Sequence, residues 1–211
     1  MDEQQEVLMA LPVVEFLDRL AARAPAPGGG AAAGVVGALA AALGRMVAAY
    51  SVGKKTPDAD RAEVDRLAGQ LERADAMLRG LVDEDARAYA NYARLARDAG
   101  DDAASRTELD AASGLALAAP LEICAGAAGV LAILEELAPV TSRYILSDLE
   151  ASAILAEATV RCAGCTVRAS AASMRNASLC GDALESLARI ETSAQGRLTA
   201  VLAVCKRRIQ G

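Results

Sequence analysis

From Gly30, the positions alternately four and three apart read Gly34, Gly37, Ala41, Gly44, Ala48 and Ser51. Residues at that spacing share one face of a helix, so a whole stripe carries nothing larger than a hydroxymethyl group. Glycine inside a helix costs about 0.5–1 kcal/mol against alanine, and three of them on one seam need compensation. Close approach of a second helix supplies it, because small residues let two backbones pack along a line. The seam faces either another helix of the same chain or, across a two-fold axis, the same helix of a second copy.

Composition extends this to the whole chain. Hydrophobic residues make up 54% of the 211 positions but aromatics only 2%, and alanine supplies the excess. Alanine is the best helix former, while the aromatic and β-branched residues that suit strands are scarce. The expected fold is all-α, a multi-helix antiparallel bundle in one domain over residues 1–211, and a dimer if the seam is two-fold. Six helices are expected: Leu11 to Ala24, Gly29 to Gly53, Asp58 to Asp98, Ala103 to Leu137, Ser147 to Arg175 and Gly181 to Ile209. Val14, Leu17 and Leu20 share a face of the first, Pro25 ends it, and Pro120 bends the fourth.

Charge and residue usage exclude several kinds of function. A net charge of −6 argues against a nucleic-acid footprint. The one basic run, Lys206-Arg207-Arg208, falls where the last helix ends and complements its dipole. The chain has no histidine, which removes Ser-His-Asp triads, Cys-His pairs and His-ligated zinc. Acid–base work near neutral pH then falls to carboxylates, lysine, cysteine or tyrosine. Five cysteines suit a reducing cytosol better than a disulfide framework, and Cys162-Ala-Gly-Cys165 reads as two small buried residues on a helix. Met1-Asp2-Glu3 lacks the basic start of a signal peptide, so a cytoplasmic location is expected. Ala24 to Gly44 is uncharged and long enough to span a bilayer. Its prolines, glycines and weakly hydrophobic alanines point instead to a core helix.

The third helix carries a different stripe: Val64, Leu67, Leu71, Ala74, Leu78, Leu81, Asp85, Ala88, Tyr92 and Leu95. Asp85 is its one ionisable acid, whereas Asp83 and Glu84 fall outside it. A carboxylate on an inward face is costly unless paired, or unless its pKa rises to keep it neutral. Two readings stand side by side: an ion pair with an arginine such as Arg161 or Arg168, or a functional acid.

Assembled in order, these segments resemble the tetrahydrofolate cyclodeaminase/cyclohydrolase family. The resemblance starts at Phe16-Leu17-Asp18-Arg19-Leu20 and Ala24-Pro25-Ala26-Pro27-Gly28-Gly29-Gly30. It runs on through Met46-Val47, Ser51-Val52-Gly53-Lys54-Lys55 and Leu81-Val82-Asp83-Glu84-Asp85-Ala86-Arg87-Ala88-Tyr89. Ala119-Pro120-Leu121-Glu122 and Ser147-Asp148 continue it, so that it covers nearly the whole chain. PGGG alone is a weak signal; with GKK and VDEDA at family-like spacing it becomes specific.

The resemblance implies an enzyme acting on the one-carbon bridge between N5 and N10 of tetrahydrofolate. A cyclohydrolase opens 5,10-methenyltetrahydrofolate with water to the 10-formyl form. A cyclodeaminase closes 5-formiminotetrahydrofolate to the methenyl form and releases ammonia. Both need only proton transfers, with no metal and no redox cofactor. The resemblance implies a catalytic role for Asp85, the residue that the helix stripe also singles out. It implies a folate wall at Pro27, Gly28, Gly29 and Gly30, where backbone N–H groups open a helix. Lys54 and Lys55 are expected to hold the anionic glutamate tail, and Asp148 to contact substrate. The cyclohydrolase reaction is favoured, since no formiminotransferase half accompanies this sequence, and a homodimer is expected. The chain departs from the family pattern at Ala31, where a serine usually stands, and at Thr166 and Ser170, where the family tends to carry asparagines. A catalytically silent helical dimer, acting as a scaffold, is the rival from another class.

Overall fold

The computed structural model describes residues 7–54, 56–98, 100 and 102–210. Among them, six α-helices span Val13–Ala21 (α1), Gly29–Ser51 (α2), Asp58–Asp98 (α3), Ala103–Leu137 (α4), Leu146–Ser173 (α5) and Ala177–Gln210 (α6), and no strand occurs among the described residues. Helices α2 to α5 run alternately up and down, with α5 returning beside α2, and α6 lies against α4 and α5. Paired contacts show the antiparallel sense: Gly34 meets Val82 and Gly44 meets Leu71 on α3, while the Ser152 hydroxyl of α5 donates to the Ala40 carbonyl at 2.8 Å.

The small-residue seam of α2 is an internal one. A methyl group added at Gly34 would come within 2.8 Å of Val82, at Gly37 within 3.1 Å of Thr159, and at Gly44 within 2.9 Å of Leu134. The glycines therefore let α2 sink among α3, α4 and α5, and the two-fold alternative for this stripe is excluded. The outer side of α2 is the unexpected one. Val36, Leu39, Leu43, Met46 and Tyr50 follow helical spacing along it, with Leu39 56% and Tyr50 69% exposed. Both α2 and α4 are long and apolar enough to cross a membrane by length and hydropathy, though more than half of each such window is buried within the bundle.

Local signals explain most boundaries. The Asp102 carboxylate accepts the Ser105 N–H at 3.0 Å and starts α4. Asn176 does the same for Leu179 at 3.1 Å, which starts α6 at Ala177, ahead of the Gly181 expected. Helix α4 continues through the buried Pro120. Arg208, in the last turn of α6, donates to the Ala138 carbonyl at 2.7 Å and so serves the end of α4 as well as its own. Helix α1 is shorter than expected, and it packs through Phe16 while Val14 and Leu17 stay exposed.

Candidate functional site

One end of the bundle gathers the start of α2 and the later half of α3. Gly28 precedes α2 in an extended conformation, without a capping side chain, and the Ala26–Pro27 peptide bond is cis. Gly30 then lies directly on the Asp85 side chain: a methyl group there would overlap the carboxylate. Glycine at this position is what lets the helix backbone approach the acid.

Asp85 is 6% exposed. Burial pushes its pKa up to about 6, against a smaller lowering by the backbone N–H of Ala31. No cation pairs with it among the described residues. Arg161 lies 3.9 Å from Glu157, and Arg168 bonds Glu191 at 2.8 Å, so neither arginine considered from sequence serves Asp85. Asp75 makes the contrast. This second buried acid of α3, absent from the stripe, is held by Arg45 at 3.1 Å and Arg79 at 2.7 Å. Asp75 is structural; Asp85 is left with a proton to exchange.

In front of Asp85 opens a cavity of about 620 Å³. Gly28, Gly29 and Gly30 form one wall, and Tyr89 and Tyr92 of α3 form another. Their rings lie 6.2 Å apart, tilted by 51°. The chain has only four tyrosines and one phenylalanine, so two of its few aromatics border this space. Across from them α5 contributes Thr166 and Ser170, one helical turn apart. Neither hydroxyl is engaged by another described side chain or carbonyl, which leaves both free for a ligand. Cys165 also borders the cavity. Both Cys162 and Cys165 are exposed, which corrects their expected burial: α6 covers another side of α5, where Gly164 meets Leu187 and Glu191. Such an arrangement can hold a flat ring with polar edges and move one proton at it.

The other expected site residues lie elsewhere in the chain. Pro27 lines a separate recess of about 290 Å³ on the far side of the loop, with Arg19 and Arg87. Lys54 follows α2 at the opposite end of the bundle, about 34 Å away by helix rise. There it borders a second cavity, of about 500 Å³, with Thr56, Ser142 and Arg208. Asp148, in the first turn of α5, belongs to that same far end, where the Ser142 N–H bonds the Ser51 hydroxyl at 3.2 Å. Lys55 falls outside the described residues. Tyr89 is the main residue missed from sequence, although it stands one turn beyond Asp85; Ser113 of α4 carries no sequence signal at all.

Comparison with known proteins identifies the family and the fold. Residues 12–189 match the formiminotransferase-cyclodeaminase family. The formimidoyltransferase-cyclodeaminase of Rattus norvegicus is 33% identical over 153 residues, 71% of this chain and 28% of that protein. The chain thus spans little more than a quarter of the length of this relative. The methenyltetrahydrofolate cyclohydrolase of Methylorubrum extorquens is 28% identical over 82% of this chain and 85% of its own. The crystal structure of formiminotetrahydrofolate cyclodeaminase from Thermotoga maritima superposes with a TM-score of 0.87 at 27% identity, covering 94% of this chain and 98% of that one. With most of its length matched in both sequence and fold, the chain belongs to the formiminotransferase-cyclodeaminase family.

Proposed function

We propose that this protein hydrolyses 5,10-methenyltetrahydrofolate to 10-formyltetrahydrofolate, with Asp85 carrying the proton. The observation that carries this is the buried, cation-free Asp85 carboxyl at the floor of a cavity bounded by glycine backbone and two tyrosines. In the proposed step Asp85 takes a proton from water as its oxygen bonds to the methenyl carbon. The tetrahedral carbon then releases N5, which receives that proton, and the hydroxyl proton passes to solvent as the formyl group forms on N10. A pKa of about 6 suits both halves of this exchange near neutral pH. Tyr89 and Tyr92 would lie against the folate ring system, and Thr166 and Ser170 would meet its polar edge.

The methenyltetrahydrofolate cyclohydrolase of Methylorubrum extorquens, 28% identical over 82% of this chain, supports the cyclohydrolase reading. The second reading, cyclisation of 5-formiminotetrahydrofolate with release of ammonia, draws on the name of the structural neighbour. It uses the same shuttle, with the proton delivered to the departing nitrogen. Loss of methenyl absorbance above the spontaneous rate tests the first, and ammonia release from the formimino substrate tests the second. Asp85→Asn is expected to lower either rate by about a hundredfold or more with the fold intact. Near-normal turnover in that variant would remove Asp85 from the mechanism.

The outer face of α2 supports a homodimer. A helix that is apolar on nearly all sides is ordinarily covered on all of them, and this one is covered by its own chain on one side only.

A further inference from the structure

Where α2 begins, the gap between two of its neighbours opens, and the walls of that gap are in register. Helices α3 and α5 both run antiparallel to α2, so they run parallel to each other. A methyl group added at Gly37 would meet Leu78 of α3 at 3.2 Å and Thr159 of α5 at 3.1 Å. Seven residues further along both helices, at the first turn of α2, Asp85 stands against Gly30 and Thr166 against Gly29. Two helical turns thus carry the same pairing from the core to the floor of the cavity. Beyond that level α2 has not begun, and the cavity opens between Tyr89 of α3 and Ser170 of α5, about 6 Å further out by helix rise. Thr166 is therefore the hydroxyl at the depth of Asp85, whereas Ser170 stands level with the first tyrosine.

Thr159 and Thr166, on one stripe of α5, use opposite ends of the same side chain. Thr159 turns its methyl group onto Gly37, and its hydroxyl donates to the Leu155 carbonyl at 2.8 Å. Thr107, Thr192 and Thr199 donate in the same way, each to the carbonyl four residues back at 2.9 Å. That bond is the ordinary resting place of a helical threonine. Thr166 forgoes it: the oxygen points to Gly29, 3.4 Å from where a Cβ would stand, and no described group bonds it. A half-buried hydroxyl turned off its own helix, on a cavity wall and level with a buried, cation-free carboxyl, faces a polar atom that the chain itself does not supply.

We infer that Thr166 holds the attacking water against Asp85. The water gives one O–H to the carboxylate, which takes that proton, and the other O–H to the Thr166 oxygen, so that a lone pair faces the methenyl carbon. As the water oxygen bonds to that carbon, Thr166 keeps the remaining O–H, whose proton leaves to solvent when the formyl group forms. A hydroxyl accepts twice and donates once, so Thr166 can hold this water and still donate to the edge of the ring. The electrophile rests on the folate reading, whereas the water site stands on Asp85, Thr166 and the glycine turn between them.

Thr166→Val keeps the shape and removes the hydroxyl. It is expected to lower kcat for methenyltetrahydrofolate hydrolysis by about ten- to a hundredfold, with KM within about twofold of wild type. Thr166→Ser restores a hydroxyl and should recover most of that loss. A raised KM with kcat kept would assign Thr166 to ring binding alone, and wild-type kinetics would give it no part in the reaction; either overturns the inference. A high-resolution crystal structure of the unliganded protein reads the water without any folate. One ordered water is expected within about 3 Å of both the Asp85 carboxyl and Thr166 Oγ1, and it should be lost in Thr166→Val. Absence of a shared water, or a Thr166 hydroxyl turned back onto the Cys162 carbonyl, would overturn the inference even in an active enzyme. A shared water in a protein inert toward both folates would keep the water site and discard the folate.

Discussion

Asp75 and Asp85 lie on the same helix and are almost equally hidden from water, yet their surroundings set opposite consequences for removing their charge. Asp75 is bound by Arg45 and Arg79. Asp75→Asn should therefore destabilise the chain, by about 1–3 kcal/mol, measurable by urea denaturation. Asp85 has only burial and one backbone N–H around it, and burial dominates. Its folded pKa of about 6 stands above the ordinary value of 3.8, so the folded chain holds this proton to higher pH than the unfolded chain. Its contribution to stability is full below pH 3.8 and is lost as pH rises through about 6. Asp85→Asn is then expected to be more stable than wild type at pH 7 by about 2–3 kcal/mol, with the difference vanishing near pH 4. Denaturation at the two pH values reads this directly. In the proposed hydrolysis the ionised form would be the base, so kcat/KM should rise with pH through about 6 and level off. A flat profile across that range would assign the base elsewhere.

At the scale of the element, α2 shows how one glycine differs from another. Gly30 makes room for the buried Asp85 carboxylate, whereas Gly34 and Gly44 make room for hydrophobic side chains. At Gly34 an added methyl group would press on Val82, a β-branched residue whose rotamer is fixed on its own helix. Gly34→Ala should cost about 1–3 kcal/mol of stability as α3 is forced outward. Gly80, on the exposed side of α3, has nothing within 4 Å of where a Cβ would stand. Gly80→Ala should accordingly stabilise by about 0.5–1 kcal/mol through helix propensity alone. Thermal melts of the two variants, run in parallel, distinguish packing glycines from incidental ones.

For the whole molecule, the proposed homodimer turns on the outer face of α2. A single charge placed at its middle is the sharpest probe, since it costs little in a monomer and much in a closed interface. Leu39→Glu should shift the protein from dimer to monomer in sedimentation while leaving its far-UV circular dichroism unchanged. A Leu39→Glu protein that remains dimeric would place the subunit contact on another surface.

Much of this protein is legible in its sequence because helix signals act locally. The ends of α3 and α4 fall where periodicity, Gly100 and Asp102 put them, and Asp85 declares itself by standing on an apolar stripe. Where a local signal is passed over, as with the Asn176 cap, the boundary moves by a few residues. Family resemblance adds the Gly28–Gly30 wall, which the fold then brings against Asp85. What sequence leaves open is set by contacts between distant segments. Periodicity identifies the thin face of α2 but not its partner, because a helix apolar on nearly all sides has no polar face to mark the outside. Only the packing of α3, α4 and α5 decides that the glycines turn inward and that Leu39 and Tyr50 remain exposed. In the same way Lys54 and Asp148 look like neighbours of Asp85 in a chain of motifs, whereas the length of α2 holds them at the far end of the bundle.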